Sequence, residues 1–202
     1  MHVIRSKSGR LVRRALMAAV LSVVAGALIQ SEDPAASWNM PPTKDFPLAG
    51  GSYSNQRYSA LTQINRSNIT KLGGAWSMIV EERNRGGTLD GTPVVVDGVM
   101  YLSTGAKSVL ALDVKTGDVK WRYRPESEEG KTGANKGVVV ADGKVIVGRR
   151  DNVLLALDQQ TGRVVWQTTM TTQRAAFSSA APVYFDGLVF IDRKSTRLNS
   201  SH

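Results

Sequence analysis

Hydrophobic residues in the middle of this chain come in short, β-branched runs closed by turn signals, with no 3.6-residue periodicity between them. Residues 92–96 and 99–103 flank Asp97-Gly98, and residues 109–113 and 118–122 flank a turn that ends in Gly117. Asp-Gly between two apolar runs predicts a tight hairpin, because both central residues of a type I′ turn need positive φ. Gly117 can take the left-handed conformation with no Cβ penalty. The same four runs return at 137–141, 144–147, 153–158 and 163–168, and a further copy begins at 180–191 around Asp186-Gly187.

The copies keep step. Trp76, Trp121 and Trp166 are spaced by 45 and 45 residues, and Asp97-Gly98, Asp142-Gly143 and Asp186-Gly187 by 45 and 44. Residues 111–121 and 156–166 share the pattern A-L-D-x-x-T-G-x-V-x-W. A fixed period of this size signals a repeat architecture, and four short antiparallel strands per period make a propeller blade. The expected fold is therefore all-β: a partial β-propeller of about two and a half four-stranded blades over residues 50–191. A strand over residues 71–78, ending near Trp76, is expected to close a blade begun elsewhere. Each tryptophan offers a flat apolar surface for the gap between neighbouring blades, and Asp113 and Asp158 can accept hydrogen bonds from the turn that follows. Both roles are architectural.

Charge changes the picture only at the ends. The net charge is +9, but residues 1–27 hold five basic residues and no acid, and 192–202 hold three basic residues against Asp192. The 26 basic and 17 acidic residues reduce to 18 and 16 over residues 28–191. No basic run lies in that middle, so nucleic acid is not an expected partner. The five N-terminal cations precede an apolar run over residues 15–29 that contains Ala25-Gly26-Ala27. This is the layout of a cleavable export signal over residues 1–27, with an uncleaved membrane anchor as the alternative. The membrane is expected as a partner only through that leader, and the mature chain is expected in the periplasm. Residues 28–49 are expected to be loop-like. The chain has no cysteine, and its two histidines are His2 and His202, which leaves no disulfide, thiolate metal site or histidine-centred triad.

The repeat pattern A-L-D-x-x-T-G-x-x-x-W resembles the tryptophan-docking repeat of quinoproteins. The segment Gly50 to Asn65, with Leu72 and Ala75-Trp76 after it, is similar to the mature N-terminus of the quinoprotein alcohol dehydrogenases that carry pyrroloquinoline quinone. The stretch Gly91 to Tyr101 is similar to that family's first full blade, and the likeness runs over about residues 46–191. The resemblance implies an eight-bladed propeller with pyrroloquinoline quinone on its axis. It also implies a calcium ion beside the quinone, a small alcohol as substrate, and cytochrome c or a quinone as electron acceptor.

Three cofactor-binding residues follow from matching positions. Asp90 stands two residues before Thr92-Pro93, where the family places an acidic residue, usually the longer glutamate. Lys136, just before Gly137, stands where the family has arginine, so the charge is kept and the two-pronged donor geometry lost. Ser179, three residues before Pro182, matches a hydroxyl position. The adjacent cysteine pair of many members is absent, and the connection over residues 125–135 is short. No catalytic base and no metal ligand is matched; calcium ligands are expected beyond the end of this chain, and the chain by itself is expected to be inactive. Residues 192–202 abandon the repeat and are expected to be a non-native tail. The alternatives are a non-enzymatic propeller scaffold of the outer-membrane assembly type and a quinoprotein sugar dehydrogenase.

Overall fold

The computed structural model describes residues 44–80, 88–126, 132–172 and 177–192. The expected leader over 1–27, most of the loop-like stretch 28–49, and the tail from 193 on lie outside these residues. Among the described residues no helix is long and apolar enough to cross a membrane.

Two four-stranded antiparallel sheets dominate. The first is β1 (Val94–Val96), β2 (Val99–Ser103), β3 (Val109–Asp113) and β4 (Val119–Tyr123), hydrogen-bonded in chain order. The second is β5 (Val139–Ala141), β6 (Lys144–Gly148), β7 (Val153–Asp158) and β8 (Val164–Thr169), in the same order. A third sheet pairs β9 (Val183–Phe185) with β10 (Leu188–Phe190). Each is a blade of the expected kind, and the third shows its first two strands. The hairpins close as the Asp-Gly pairs require: Asp97 and Gly98 have φ of 50° and 74°, Asp142 and Gly143 48° and 66°, Asp186 and Gly187 47° and 76°.

The blades stack because the middle strands are apolar on both sides. Along β3, Val109 and Ala111 face the second blade, while Leu110 and Leu112 face the opposite way; all four are buried. One core therefore joins Val94, Tyr101, Val109 and Ala111 to Val138, Val145, Val147 and Leu155 across the blade gap. Another joins Ile146, Leu154 and Ala156 of the second blade to Tyr184, Val189 and Ile191 of the third. A strand covered on both faces reads as a continuous hydrophobic run, which is what 109–112 and 154–157 are.

The tryptophans lock successive blades. Trp121 donates its indole N–H to the Gln159 carbonyl at 3.0 Å, and Trp76 donates to the Val114 carbonyl at 3.1 Å. In both cases the acceptor belongs to the Thr-Gly turn of the next blade. Asp158 Oδ1 organises that turn by accepting from the backbone N–H of Gln160 (3.1 Å) and Thr161 (2.8 Å), and Asp113 Oδ1 does the same for Lys115 and Thr116. Those bonds to the ionised form hold both carboxyls below the ordinary aspartate range, led by the Thr161 hydroxyl at Asp158 and by the Lys115 N–H at Asp113.

Two details depart from expectation. Residues 72–80 form no strand; a 3-10 turn over Ile69–Lys71 precedes them. Trp76, Met78 and Val80 pack on Leu102, Leu110 and Leu112, and Arg122 donates to the Val80 carbonyl at 2.8 Å, so side chains rather than a ladder hold this segment. The inner strands also begin later than the apolar runs, at Val94 and Val139 rather than 92 and 137. The preceding residues are hydrogen-bonded between blades instead of within them. On the other edge of the inner strands, Phe46 exchanges both backbone hydrogen bonds with Val95 (2.6 and 2.9 Å), and Leu48 bridges Val139.

Candidate cofactor-binding site

The three residues carried over from the sequence, Asp90, Lys136 and Ser179, sit where the chain enters the innermost strand of successive blades. The backbones of Lys136 and Ser179 are linked to each other and to Thr92, two residues after Asp90. The Thr92 N–H donates to the Lys136 carbonyl at 3.2 Å, and the Lys136 N–H donates to the Ser179 carbonyl at 2.8 Å. A parallel bridge pairs Thr92 with Gly137. Residues 43 to 45 positions apart in sequence thus share one short ladder. Asp90 and Lys136 are exposed and Ser179 is half-buried.

Close packing sets this ladder. Gly137 has φ of 131°, a conformation that favours glycine, and a Cβ there would meet the Thr92 carbonyl at 3.1 Å. A Cβ on Gly91 would meet the Asn135 carbonyl and the Gly137 nitrogen at 3.2 Å each. Asp90 is oriented locally by the Thr88 hydroxyl, which donates to Oδ2 at 2.6 Å. Thr88 in turn accepts from the Gly105 N–H at 2.9 Å, and Gly105 accepts from Gly133 at 3.0 Å, so the turn after β2 bridges the two inner connections.

Two further residues at this end were not legible as part of the site. Asn135, 4% exposed, donates from Nδ2 to the Gly148 carbonyl at 2.9 Å. Its Oδ1 accepts from the Ser103 hydroxyl at 2.7 Å and from the Gly137 N–H at 3.0 Å. The buried Ser178 donates to the Asp192 carbonyl at 2.9 Å. The only sequence signal for Asn135 is an amide side chain directly before the Lys136-Gly137 pair. A separate ionic cluster lies in the turns after β2 and β6: Asp151 pairs with Arg149 and lies 3.9 Å from the Lys107 ammonium, whose side chain is 3% exposed. A cavity of about 550 Å³ opens beside it, lined by Tyr123, Arg149, Asp151, Val164 and Gln167 among others. Asp90, Lys136 and Ser179 do not line it. We place the candidate site at the inner ladder, because the backbone bonds there bring Lys136 and Ser179 side by side and Asp90 lies two residues before their partner Thr92. Among the described residues no group of three or more His, Cys, Asp and Glu side chains could hold a metal ion.

Stacked four-stranded blades and tryptophans docked on the next blade's Thr-Gly turn define a β-propeller of the tryptophan-docking kind. Residues 46–165 match the model of the PQQ glucose/ethanol/alcohol dehydrogenase β-propeller domain, and the chain belongs to that family. It is 46% identical over 88 residues to the quinohemoprotein alcohol dehydrogenase of Comamonas testosteroni, a match covering 44% of this chain and 12% of that one. It is 44% identical over 90 residues to the 1-butanol dehydrogenase (cytochrome c) of Thauera butanivorans, covering 42% of this chain and 13% of that one. The crystal structure of the Comamonas testosteroni quinohemoprotein alcohol dehydrogenase superimposes with a TM-score of 0.67 at 37% identity, over 75% of this chain and 23% of that one. The matches thus span about an eighth of the length of these curated relatives.

Proposed function

We propose that this chain supplies one side of the pyrroloquinoline quinone site of an alcohol dehydrogenase. The enzyme would oxidise a small alcohol and pass electrons to cytochrome c or a quinone in the periplasm, after export through the leader at residues 1–27. The observation that supports the reading is the backbone ladder joining Thr92, Lys136 and Ser179, with Asp90 two residues before Thr92.

The residues fit the group. Pyrroloquinoline quinone is a planar ortho-quinone bearing carboxylates. An ammonium and a hydroxyl are the donors that such an anion needs, and Lys136 and Ser179 supply them from adjacent blades. When bound, the quinone supplies the two-electron acceptor that the protein side chains lack. Lys136 and Ser179 would bind and orient it, and Asp90, oriented by Thr88, would accept a hydrogen bond at its edge. Calcium is the ion expected beside the quinone, but the described residues do not by themselves form a carboxylate site for it. Alcohol as the substrate class, and cytochrome c as one acceptor, are supported by the names of the relatives.

The test is a titration of the full chain with pyrroloquinoline quinone, with and without calcium, following the quinone absorbance. Saturable binding that weakens in Lys136→Met and Ser179→Ala is the expected result. Absence of binding, or binding indifferent to both substitutions, would refute the proposal.

A further inference from the structure

We infer that Asn135 is the positioning residue of this site: its side-chain amide fixes the backbone that carries Lys136. The inference rests on the reading above for its relevance to the quinone, but on geometry alone for the positioning role.

Asn135 is buried at a point where three chain segments meet. Its acceptor and one of its amide protons are both used. Oδ1 takes the Ser103 hydroxyl and the Gly137 N–H, and Nδ2 gives to the Gly148 carbonyl. The amide orientation is forced by its partners. Reversing it would set the NH2 against the Gly137 N–H and the oxygen against the Gly148 carbonyl. Ser103 and Gly148 are the last residues of β2 and β6, the second strands of adjoining blades. One side chain therefore ties the ends of both second strands to the entrance of an inner strand.

The consequence falls on the next residue. Lys136 lies between Asn135 and Gly137, and the Asn135 Oδ1···Gly137 N–H bond closes a small loop around it. Its own N–H and carbonyl are held by Ser179 and Thr92. Gly91 and Gly137 give the space for this by lacking side chains. The Lys136 side chain, by contrast, is exposed. The fold so fixes the root of the lysine and leaves its head to a ligand. An interaction with a fixed root loses less conformational freedom on binding than one from a mobile loop.

Amide hydrogen exchange on the full chain tests this. Asn135→Ala should speed exchange about tenfold at Thr92, Lys136 and Gly137, and leave Leu110 and Ala111 in β3 unchanged. Asn135→Asp keeps the Oδ1 acceptor but sets an oxygen against the Gly148 carbonyl, and should restore only part of the protection at Gly137. Where Asn135→Ala does not fold, Ser103→Ala removes one of the three bonds and should give a smaller acceleration at the same amides. Unchanged exchange at Gly137, or equal acceleration in β3, overturns the inference. Quinone titration of the same variants separates it from the functional reading. If Asn135 acts through Lys136, Asn135→Ala weakens binding in the parent chain but has no further effect alongside Lys136→Met. Additive losses overturn the action through Lys136. A parent chain that takes up no quinone overturns the functional reading, while the exchange pattern still decides the positioning role.

Discussion

The six-membered ring of Trp121 lies directly on Gly162 of the next blade: a Cβ at position 162 would sit 2.6 Å from Trp121 Cε3 and 2.7 Å from Cδ2. Gly162 also has φ of 70°. The glycine thus serves the turn and the indole at once, and the two demands can be separated. Gly162→Ala should cost about 2–3 kcal/mol, from left-handed strain plus displacement of the ring. Gly143→Ala, with φ of 66° and nothing within 4 Å of its Cβ, should cost only the backbone term of about 1 kcal/mol. In a Trp121→Ala background the two alanines should become equivalent. Urea denaturation of the four variants measures this.

The Asp113 and Asp158 turns predict an acid sensitivity. Both carboxyls are held below their ordinary range by hydrogen bonds to the ionised form. A depressed native value means that the stabilisation is complete above the ordinary aspartate value of about 4 and is lost as pH falls through the lower native value. The melting temperature of the chain should therefore drop between pH 5 and pH 2 through these turns, as an order-of-magnitude window. Asp113→Asn with Asp158→Asn keeps the Oδ1 acceptors and should flatten that part of the profile. An unchanged slope in the double variant would count against the assignment.

Asp151 predicts a large loss from a single charge. It lies beside Arg149 and Lys107, whose side chains are 9% and 3% exposed. Asp151→Ala takes away the carboxylate that both cations face and should cost about 3 kcal/mol. Lys44→Ala, at an ion pair with Asp97 that is about three-quarters exposed on both sides, should leave the denaturation midpoint unchanged.

Lys136 predicts a gain. Arginine at this position would offer a planar fork to carboxylate and quinone oxygens in place of a point charge. Lys136→Arg should tighten quinone binding several-fold, about 1 kcal/mol, and Lys136→Met should weaken it by a similar factor. Titration by quinone absorbance reads both.

How far the sequence reveals the fold depends on whether a feature is local. The Asp-Gly hairpins and the Thr-Gly turns were legible because positive φ and a short Asx hydrogen bond are properties of two to four adjacent residues. The tryptophan spacing was legible because each copy repeats the same local unit. Residues 71–78 were expected to be a strand because Trp76 keeps the position of the strand tryptophans Trp121 and Trp166, yet a strand also needs a neighbour's backbone. Asn135 was invisible for a related reason. Its partners, Ser103 and Gly148, are 32 and 13 residues away, and nothing in a lone asparagine marks it as buried. Lys107 and Asp151 carry no local signal of their pairing, because the turns after β2 and β6 that hold them are far apart in sequence. Asp90, Lys136 and Ser179 came from resemblance, and the blade geometry explains why the distant Lys136 and Ser179 are bonded backbone to backbone.

The ladder from Thr92 through Lys136 to Ser179 has a bearing on how such a chain can change length. The third Asp-Gly falls 44 residues after the second, one short of the earlier interval. Hydrogen-bonded partners along the ladder are likewise 44 and then 43 residues apart. The missing residue is absorbed before Ser179, and the contact with Lys136 still closes at 2.8 Å. Positions at the inner strand entrances are thus indexed by the neighbouring blade, not by counting along the chain. Insertions and deletions in the outer connections can accumulate without moving the inner side chains out of reach of one another.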